Sequence, residues 1–324
     1  MSLGEFDLIR RCFQRPGTVP GVAVAVGIGD DCAVLNPTPG QQWLVSSDML
    51  VEGRHFLSTV DPARLAHKAL AVNLSDLAAC GATPRAFFLA LALPRADVAW
   101  CDAFAQGLFA LADAHGIALA GGDTTAGPLN ICITVMGEAP TGQALLRSGA
   151  CAGDEIWVSG QLGDARLALE VFRGTLTLPG AGFEQARRAM ECPQPRVALG
   201  QALRGIASSA IDVSDGFLGD LGHVLAASAV GATVQAEALP RSALLADLPL
   251  ALQRLCTLAG GDDYELVFTA PPRRRQQVQT AAQACGVAVT RVGSIDPEPG
   301  LRLLDANGLA FDAGLQSFDH FKTP

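Results

Sequence analysis

Lysine is nearly absent from this chain: only Lys68 and Lys322 occur in 324 residues, and neither follows a glycine. A P-loop needs a Gly-Lys pair to reach the phosphates of a nucleotide, so that solution is excluded. Zinc-site and disulfide patterns are missing too. No CxxC or HxxxH pair occurs, the nine cysteines are odd in number, and the two nearest, Cys132 and Cys151, stand 19 positions apart. Such spacing argues against zinc and against a disulfide framework, and leaves reduced, mostly structural thiols. No apolar run reaches 18 residues, and the opening MSLGEFDLIRRCF lacks the basic segment, apolar stretch and cleavage site of a secretion signal. A cytoplasmic protein with no membrane partner is expected. Basic clusters are scarce, the longest being Arg273-Arg274-Arg275 in a chain of net charge −9, which disfavours nucleic acid. An acidic protein that handles phosphates needs metal ions to do so.

What is abundant is apolar sequence, 49% of residues, enough for the cores of two domains. Runs rich in valine and isoleucine repeatedly end in glycine and aspartate: 22–31, 43–48, 117–123, 209–216 and 258–265. They read as strands delivering acidic loops. Helical patterns lie between them at Pro62 to Cys80, behind an aspartate-proline cap signal, at Val98 to His115 and at Gly219 to Ala229. This alternation predicts a mixed α/β or α+β fold with sheets flanked by helices. A glycine-rich polar stretch from about Gly137 to Asp154 separates two halves, placing a boundary near 149 (domains 1–149 and 150–324), and Gly174 to Gly182 reads as a loop.

The acidic loops carry the chemistry. Gly27-Ile28-Gly29-Asp30-Asp31 resembles a dinucleotide fingerprint, but it lacks the third glycine and sets two carboxylates where a pyrophosphate would sit. Those carboxylates would repel phosphate unless magnesium lay between, and magnesium favours a few carboxylates, retained waters and phosphate oxygens. A single Gly-Asp pair is ordinary turn chemistry; several in one chain point to metal. Asp76 stands out because the stretch Ala69 to Cys80 is otherwise polar only at Asn73 and Ser75. A lone buried carboxylate is costly unless paired or metal-bound, and Asn73 shares its helix face. The bland alternative is an exposed helix edge. In Asp212-Val213-Ser214-Asp215-Gly216, strand alternation puts Asp212 and Ser214 on one side, and Ser214 or Asp215 can cap the next helix. His55 and Arg147 carry little alone.

Taken in order, GIGDDCAVL, SSDMLVEGRHF, KALAVNLSDLAACGATP, GGDTTAGPL, RSGACAGDEIWVSG, SAIDVSDGFLGDLGH, GGDDYELVF and the closing SFDHF resemble the thiamine-monophosphate kinase family from Gly4 to nearly the last residue. That family shares a two-domain α/β fold with aminoimidazole ribonucleotide synthetase, selenide water dikinase and a hydrogenase maturation protein. The resemblance implies an amino-terminal domain that forms a homodimer by joining sheets, and a carboxy-terminal domain that covers the site. It implies Asp30, Asp31, Ser46, Ser47, Asp48, Asp76, Asp123, Asp212 and Asp215 as ligands of several magnesium ions along ATP. Gly122, Arg147 and Ser214 would contact nucleotide, while His55, Asp262 and an aromatic of the tail, Phe318 or Phe321, would face thiamine monophosphate. Attack by an already ionised phosphate oxygen needs no strong general base, which matches a sequence with many candidate metal ligands and no nucleophile-base dyad. The family motif usually reads Gly-Glu-Asp-Tyr-Glu, so Asp262 is one methylene short, whereas Ser47 in place of a common threonine keeps the hydroxyl. A sister ATP-dependent enzyme and a non-catalytic metal- or nucleotide-binding scaffold are the competing readings.

Overall fold

The structure is a computed structural model that describes residues 5–15, 24–318 and 321. Residues 22–23 of the first acidic run and 319–320 of the closing motif lie outside the described residues. The chain divides into two compact units, Met1–Leu77 with Ala82–Gly142, and Ala78–Gly81 with Gln143–Pro324. Among the described residues no helix is long and apolar enough to cross a membrane.

The first unit runs α1 (Glu5–Leu8, continuing through a π turn Ile9–Phe13), β1 (Val24–Val26), β2 (Val34–Leu35), β3 (Gln41–Val51), α2 (Pro62–Ala79), β4 (Thr83–Leu93), α3 (Val98–His115), β5 (Ala118–Ala126) and β6 (Asn130–Pro140). Its main sheet has the order β3-β6-β4-β5, antiparallel except for β4 and β5, whose parallel pairing needs the α3 crossover. The aspartate-proline signal opens α2 as expected, since Asp61 Oδ1 accepts the N–H groups of Ala63 and Arg64 at 2.9 and 3.1 Å. α2 is buried almost all round, the mark of a helix enclosed in a core. α3 presses on its start so closely that a Cβ on Gly107 would lie 2.1 Å from the Ala63 carbonyl oxygen. The other sheet face is open: Val45 and Met49 of β3 are 58% and 54% exposed. β6 continues through Gly137, where a Cβ would meet Leu77, Ala82 and Thr83 at 3.0 Å. The polar separator therefore begins only after Pro140, and the units part between Gly142 and Gln143.

The second unit holds β7 (Glu155–Ser159), α4 (Asp164–Phe172), α5 (Gly180–Glu191), α6 (Val197–Leu203), β8 (Ser209–Asp212), α7 (Phe217–Ser228), β9 (Gly231–Gln235), α8 (Ala243–Ala246), α9 (Leu250–Ala259), β10 (Leu266–Ala270), α10 (Arg275–Ala284), β11 (Val289–Asp296), β12 (Gly300–Leu304) and β13 (Ala310–Phe311). Seven strands form one sheet in the order β13-β12-β9-β11-β7-β10-β8, parallel only between β9 and β12. Ile156, Val158, Ile211 and Val267 of the sheet bury against Phe217, Leu221 and Val224 of α7. A second cluster gathers Leu167, Ala186, Met190, Leu245 and Cys256 from α4, α5, α8 and α9.

Three strand expectations are corrected: β3 runs on to Val51 and β5 to Ala126, so Asp48 and Asp123 stand within strands and not on loops at their ends. Residues 258–265 are not a strand ending in an acidic loop: Leu258 and Ala259 close α9, Gly260 ends it, and the strand begins after the acids at Leu266. Short apolar runs in a core look alike whether helical or extended.

Candidate functional site

Edge strand β8 ends at Asp212 and its neighbour β10 begins at Leu266, and the antiparallel register pairs these two residues. The loop leaving β8 and the loop entering β10 must therefore lie side by side. Asp262 N–H donates to Ser214 O at 2.9 Å, Tyr264 N–H to Val213 O at 2.9 Å, and Val213 N–H to Glu265 O at 2.8 Å. The approach leaves no room for a side chain at Gly261, whose Cβ would lie 2.3 Å from Ser214 O. Asp262 and Tyr264 both take positive φ, 67° and 52°, a conformation unusual for non-glycine residues and concentrated at functional loops. The Tyr264 hydroxyl, from the chain's single tyrosine, donates to Asp262 Oδ1 at 3.2 Å. The tail docks on the same loop: Phe318 N–H donates to Asp215 O at 3.0 Å, and Ser317 Oγ accepts the Gly219 N–H at 2.8 Å. Asp212, Ser214, Asp215, Asp262 and Phe318 are thus brought together in the second unit, whereas the Phe321 side chain is exposed.

Four residues hold this arrangement: Asp220 and Ser228 escape sequence reading, while Asp263 and Glu265 lie in an acidic run that the sequence shows without their supporting roles. Neither Ser214 nor Asp215 caps α7; instead Asp220, inside the helix, reaches back so that its Oδ2 accepts the N–H groups of Ser214, Asp215 and Gly216 at 3.0, 3.2 and 3.1 Å. Burial pushes the Asp220 carboxyl up to about 7, helped by the Asp215 charge and opposed by the three N–H bonds. Glu265 accepts from Ser159 Oγ at 2.5 Å and from Arg196 Nε at 2.7 Å. Ser228 Oγ accepts the N–H groups of Gly149 and Ala150 at 3.1 and 3.2 Å and donates to Arg147 O at 3.3 Å, fixing the backbone of the exposed Arg147. Asp263 accepts the Gly163 N–H on both oxygens, at 2.9 and 3.0 Å, where α4 starts.

Desolvation raises the Asp263 carboxyl well above its ordinary value; the Gly163 N–H opposes this, while Glu265, Asp164 and Asp262 add to it. A carboxyl raised on folding contributes full stability below the unfolded value near 4 and loses it as pH rises through the folded value. Asp263→Asn is therefore expected to gain in melting temperature relative to wild type as pH rises from 4 towards 8. Parallel curves for the two proteins would show that Asp263 does not titrate above the ordinary carboxylate range.

In the first unit β3 and α2 present the other half of the candidate set. Ser46 Oγ donates to Asp76 Oδ2 at 2.5 Å, and Asp48 N–H donates to Asn73 Oδ1 at 3.2 Å, so Asn73 and Asp76 do share the α2 face turned to β3. Ser47 bonds Thr134 Oγ1 across the sheet at 2.9 Å. Asp123 follows Gly122, which has φ of 147° and whose Cβ would lie 1.9 Å from Leu89 O. Only glycine fits there. Asp30 and Asp31 are exposed, joined by the Asp31 N–H to Asp30 Oδ1 bond of 2.8 Å. His55 Nδ1 accepts the Val51 N–H at 3.0 Å, which puts the proton of the neutral ring on Nε2, and Lys68 Nζ holds the His55 carbonyl at 3.1 Å.

The candidate residues are thus distributed over both units, and among the described residues no three His, Cys, Asp or Glu side chains stand close enough to hold one ion. The donor set nevertheless fits magnesium in kind: carboxylates and hydroxyls, with Asp212 only 5% exposed and Asp76 already engaged by a hydroxyl.

Both halves of the chain match the AIR synthase related proteins, residues 29–139 their N-terminal domain and 152–306 their C-terminal domain, and the chain belongs to this class of two-domain proteins. It is 45% identical over 330 aligned positions to the thiamine-monophosphate kinase of Salmonella typhimurium, covering 100% of each chain. The crystal structure of thiamine-monophosphate kinase from Stenotrophomonas maltophilia superposes with a TM-score of 0.85 at 44% identity, over 96% of this chain and 99% of that one. A third relative, AaThiL complexed with AMPPCP and TMP, gives 0.77 at 26% identity over 88% and 89%. Within its class, the chain belongs to the thiamine-monophosphate kinase family.

Proposed function

We propose that this chain transfers the γ-phosphoryl group of ATP to thiamine monophosphate, giving thiamine diphosphate and ADP. The carrying observation is 45% identity along the whole chain to a thiamine-monophosphate kinase. A phosphate oxygen of thiamine monophosphate attacks the γ-phosphorus as the bond to the bridging oxygen of ADP breaks. The nucleophile is ionised at neutral pH, so the protein's task is to position reactants and balance charge. Magnesium, held by Asp30, Asp31, Ser46, Ser47, Asp48, Asp76, Asp123, Asp212 and Asp215, would supply neutralisation along the triphosphate. Gly122, Arg147 and Ser214 contact the nucleotide in this reading. His55 offers its Nε2–H to the substrate, and Asp262 with Phe318 or Phe321 faces the thiamine end. The reaction is placed in the cytoplasm, with no nucleic acid or membrane taking part.

The test offers thiamine monophosphate, free thiamine and aminoimidazole precursors in parallel to the purified protein with ATP and magnesium. Thiamine diphosphate formed from the monophosphate alone supports the reading; product from another acceptor, or none, overturns it. Asp262→Glu restores the carboxylate usual in the family and is expected to use thiamine monophosphate equally well or better, read as kcat/KM. A loss of tenfold or more would mean that the shorter side chain, with its Tyr264 bond, is fitted to this chain's site.

A homodimer joined through the first unit's open sheet face belongs to the same proposal. Val45 registers with Met136, and Met49 with Cys132, which registers in turn with Ala90. These apolar pairs flank the Ser47–Thr134 pair on the same face, and exposed apolar surface of this kind marks an association face. Sedimentation of Met49→Glu is expected to give a monomer; an unchanged mass for this variant, or a monomeric wild type, would remove the face from the proposal.

A further inference from the structure

The N–H groups at the start of a helix ordinarily form a ready anion site, and in nucleotide-binding α/β proteins that is where phosphate sits. In the loop that leads into α7 the amides are taken from within the protein. Asp220 Oδ2 takes the N–H groups of Ser214, Asp215 and Gly216, three in succession, and Asp220 is 3% exposed. Gly216 has φ of 119°, and a Cβ there would lie 2.9 Å from the Ala259 backbone. The turn is therefore shaped from both sides, by an internal acid on its N–H groups and by a close backbone on its outer edge. The carbonyl groups of the same residues are spoken for separately: Ser214 O by Asp262 N–H, Asp215 O by Phe318 N–H, and Gly216 O by Asp220 N–H. The backbone of 214–216 is thus engaged on both donor and acceptor sides.

We infer that Asp220 is a positioning residue of the phosphoryl-transfer site, locking the loop that follows Asp212 and carries Ser214 and Asp215, and withholding the 214–216 amides from phosphate. The inference rests on the proposed function for its kinetic consequence, but not for its structural one. With the acceptor removed, three N–H groups lose their common partner, and the loop's carboxylates no longer start from one geometry. A displacement of about 1 Å at reacting groups can cost roughly 10²-fold in rate. Asparagine keeps an acceptor oxygen at the same place and should keep the loop.

The experiment compares wild type, Asp220→Ala, Asp220→Asn and Asp220→Glu in the full chain, by amide hydrogen exchange without ligands and by steady-state kinetics with magnesium titrated. Asp220→Ala is expected to lose protection at the 214–216 amides. It should need about tenfold more magnesium for half-maximal rate and lose roughly 10²-fold in kcat/KM for ATP, with a smaller change in KM for thiamine monophosphate. Asp220→Asn should return exchange and kinetics to within about fivefold of wild type. Where alanine prevents folding, glutamate decides: it keeps the charge but moves the acceptor by one methylene, and it should lower kcat/KM at least tenfold with melting unchanged. Wild-type exchange in a folded alanine variant, wild-type kinetics in the alanine or glutamate variant, or asparagine as damaging as alanine would overturn the inference. Exchange is read without turnover, so failure of the assigned reaction leaves the structural test standing.

Discussion

Asp76→Asn is expected to lower kcat by roughly 10²–10³-fold, the size of effect seen when one preorganised electrostatic group is removed from a site, while the melting temperature stays close to that of wild type. The separation of the two effects follows from where Asp76 sits. The packing of α2 is carried by Leu65, Leu70, Leu74 and Leu77, each 1% exposed or less, and none of these changes in the variant. Asp76 itself lies partly open on the β3 side, accepting from Ser46 Oγ at 2.5 Å. Asparagine retains an oxygen that can accept the same bond, so the local geometry has reason to persist and the charge does not. If that charge serves to hold magnesium, the deficit grows as magnesium becomes limiting and shrinks as it is raised. A wild-type rate at limiting magnesium would remove Asp76 from the metal set; a parallel fall in rate and stability would assign it to packing.

Asp76 was readable in the sequence because a single carboxylate in a long apolar helical run has few explanations; α2 was readable from its apolar stretch and its aspartate-proline cap signal, and α3 from its apolar pattern alone. Val98–His115 is as expected, opened by Asp97 accepting the Trp100 N–H and closed by Gly116 at φ 60°. The acidic loop after Ser209–Asp212 was legible as a strand end, since β-branched residues run straight into Ser-Asp-Gly. The acids at 262–265 were found, but their setting was inverted: they enter a strand after a helix rather than leave one. What the sequence hides is support from a distance. Asp220 lies in an apparently ordinary helix and acts on residues four to six positions earlier, while Ser228 fixes the loop of Arg147 from the far end of the same helix. Neither leaves a periodicity or a spacing that a local pattern can register. The resemblance to a kinase family supplied roles for the exposed chemistry of the loops and said nothing of what holds them.

The largest expected loss of stability is at Glu265. Its side chain is 7% exposed and pairs with Arg196 through two contacts, while Ser159 Oγ bridges it at 2.5 Å and accepts the Leu266 N–H at 2.8 Å. Removing one partner of a buried ion pair leaves the other charge desolvated and uncompensated, at a cost of about 3–5 kcal/mol. For a domain of this size that is a fall of roughly 6–20 °C in melting temperature. Glu265→Ala should show it, and Glu265→Gln, which keeps acceptor and shape but loses charge, should fall between alanine and wild type. Gly160 provides an independent route to the same contact, because at φ 55° its Cβ would lie 1.9 Å from Glu265 Oε1. Gly160→Ala must therefore displace the carboxylate and should reproduce much of the Glu265→Ala loss. The double variant should lose less than the sum, since each change breaks the same pairing. Glu265 also ends the loop that carries Asp262, so the alanine variant should raise KM for thiamine monophosphate more than KM for ATP. Additive losses in the double variant, or a melting temperature within 2 °C of wild type for Glu265→Ala, would mean that Arg196 finds another partner and that the pair does not anchor this end of the sheet.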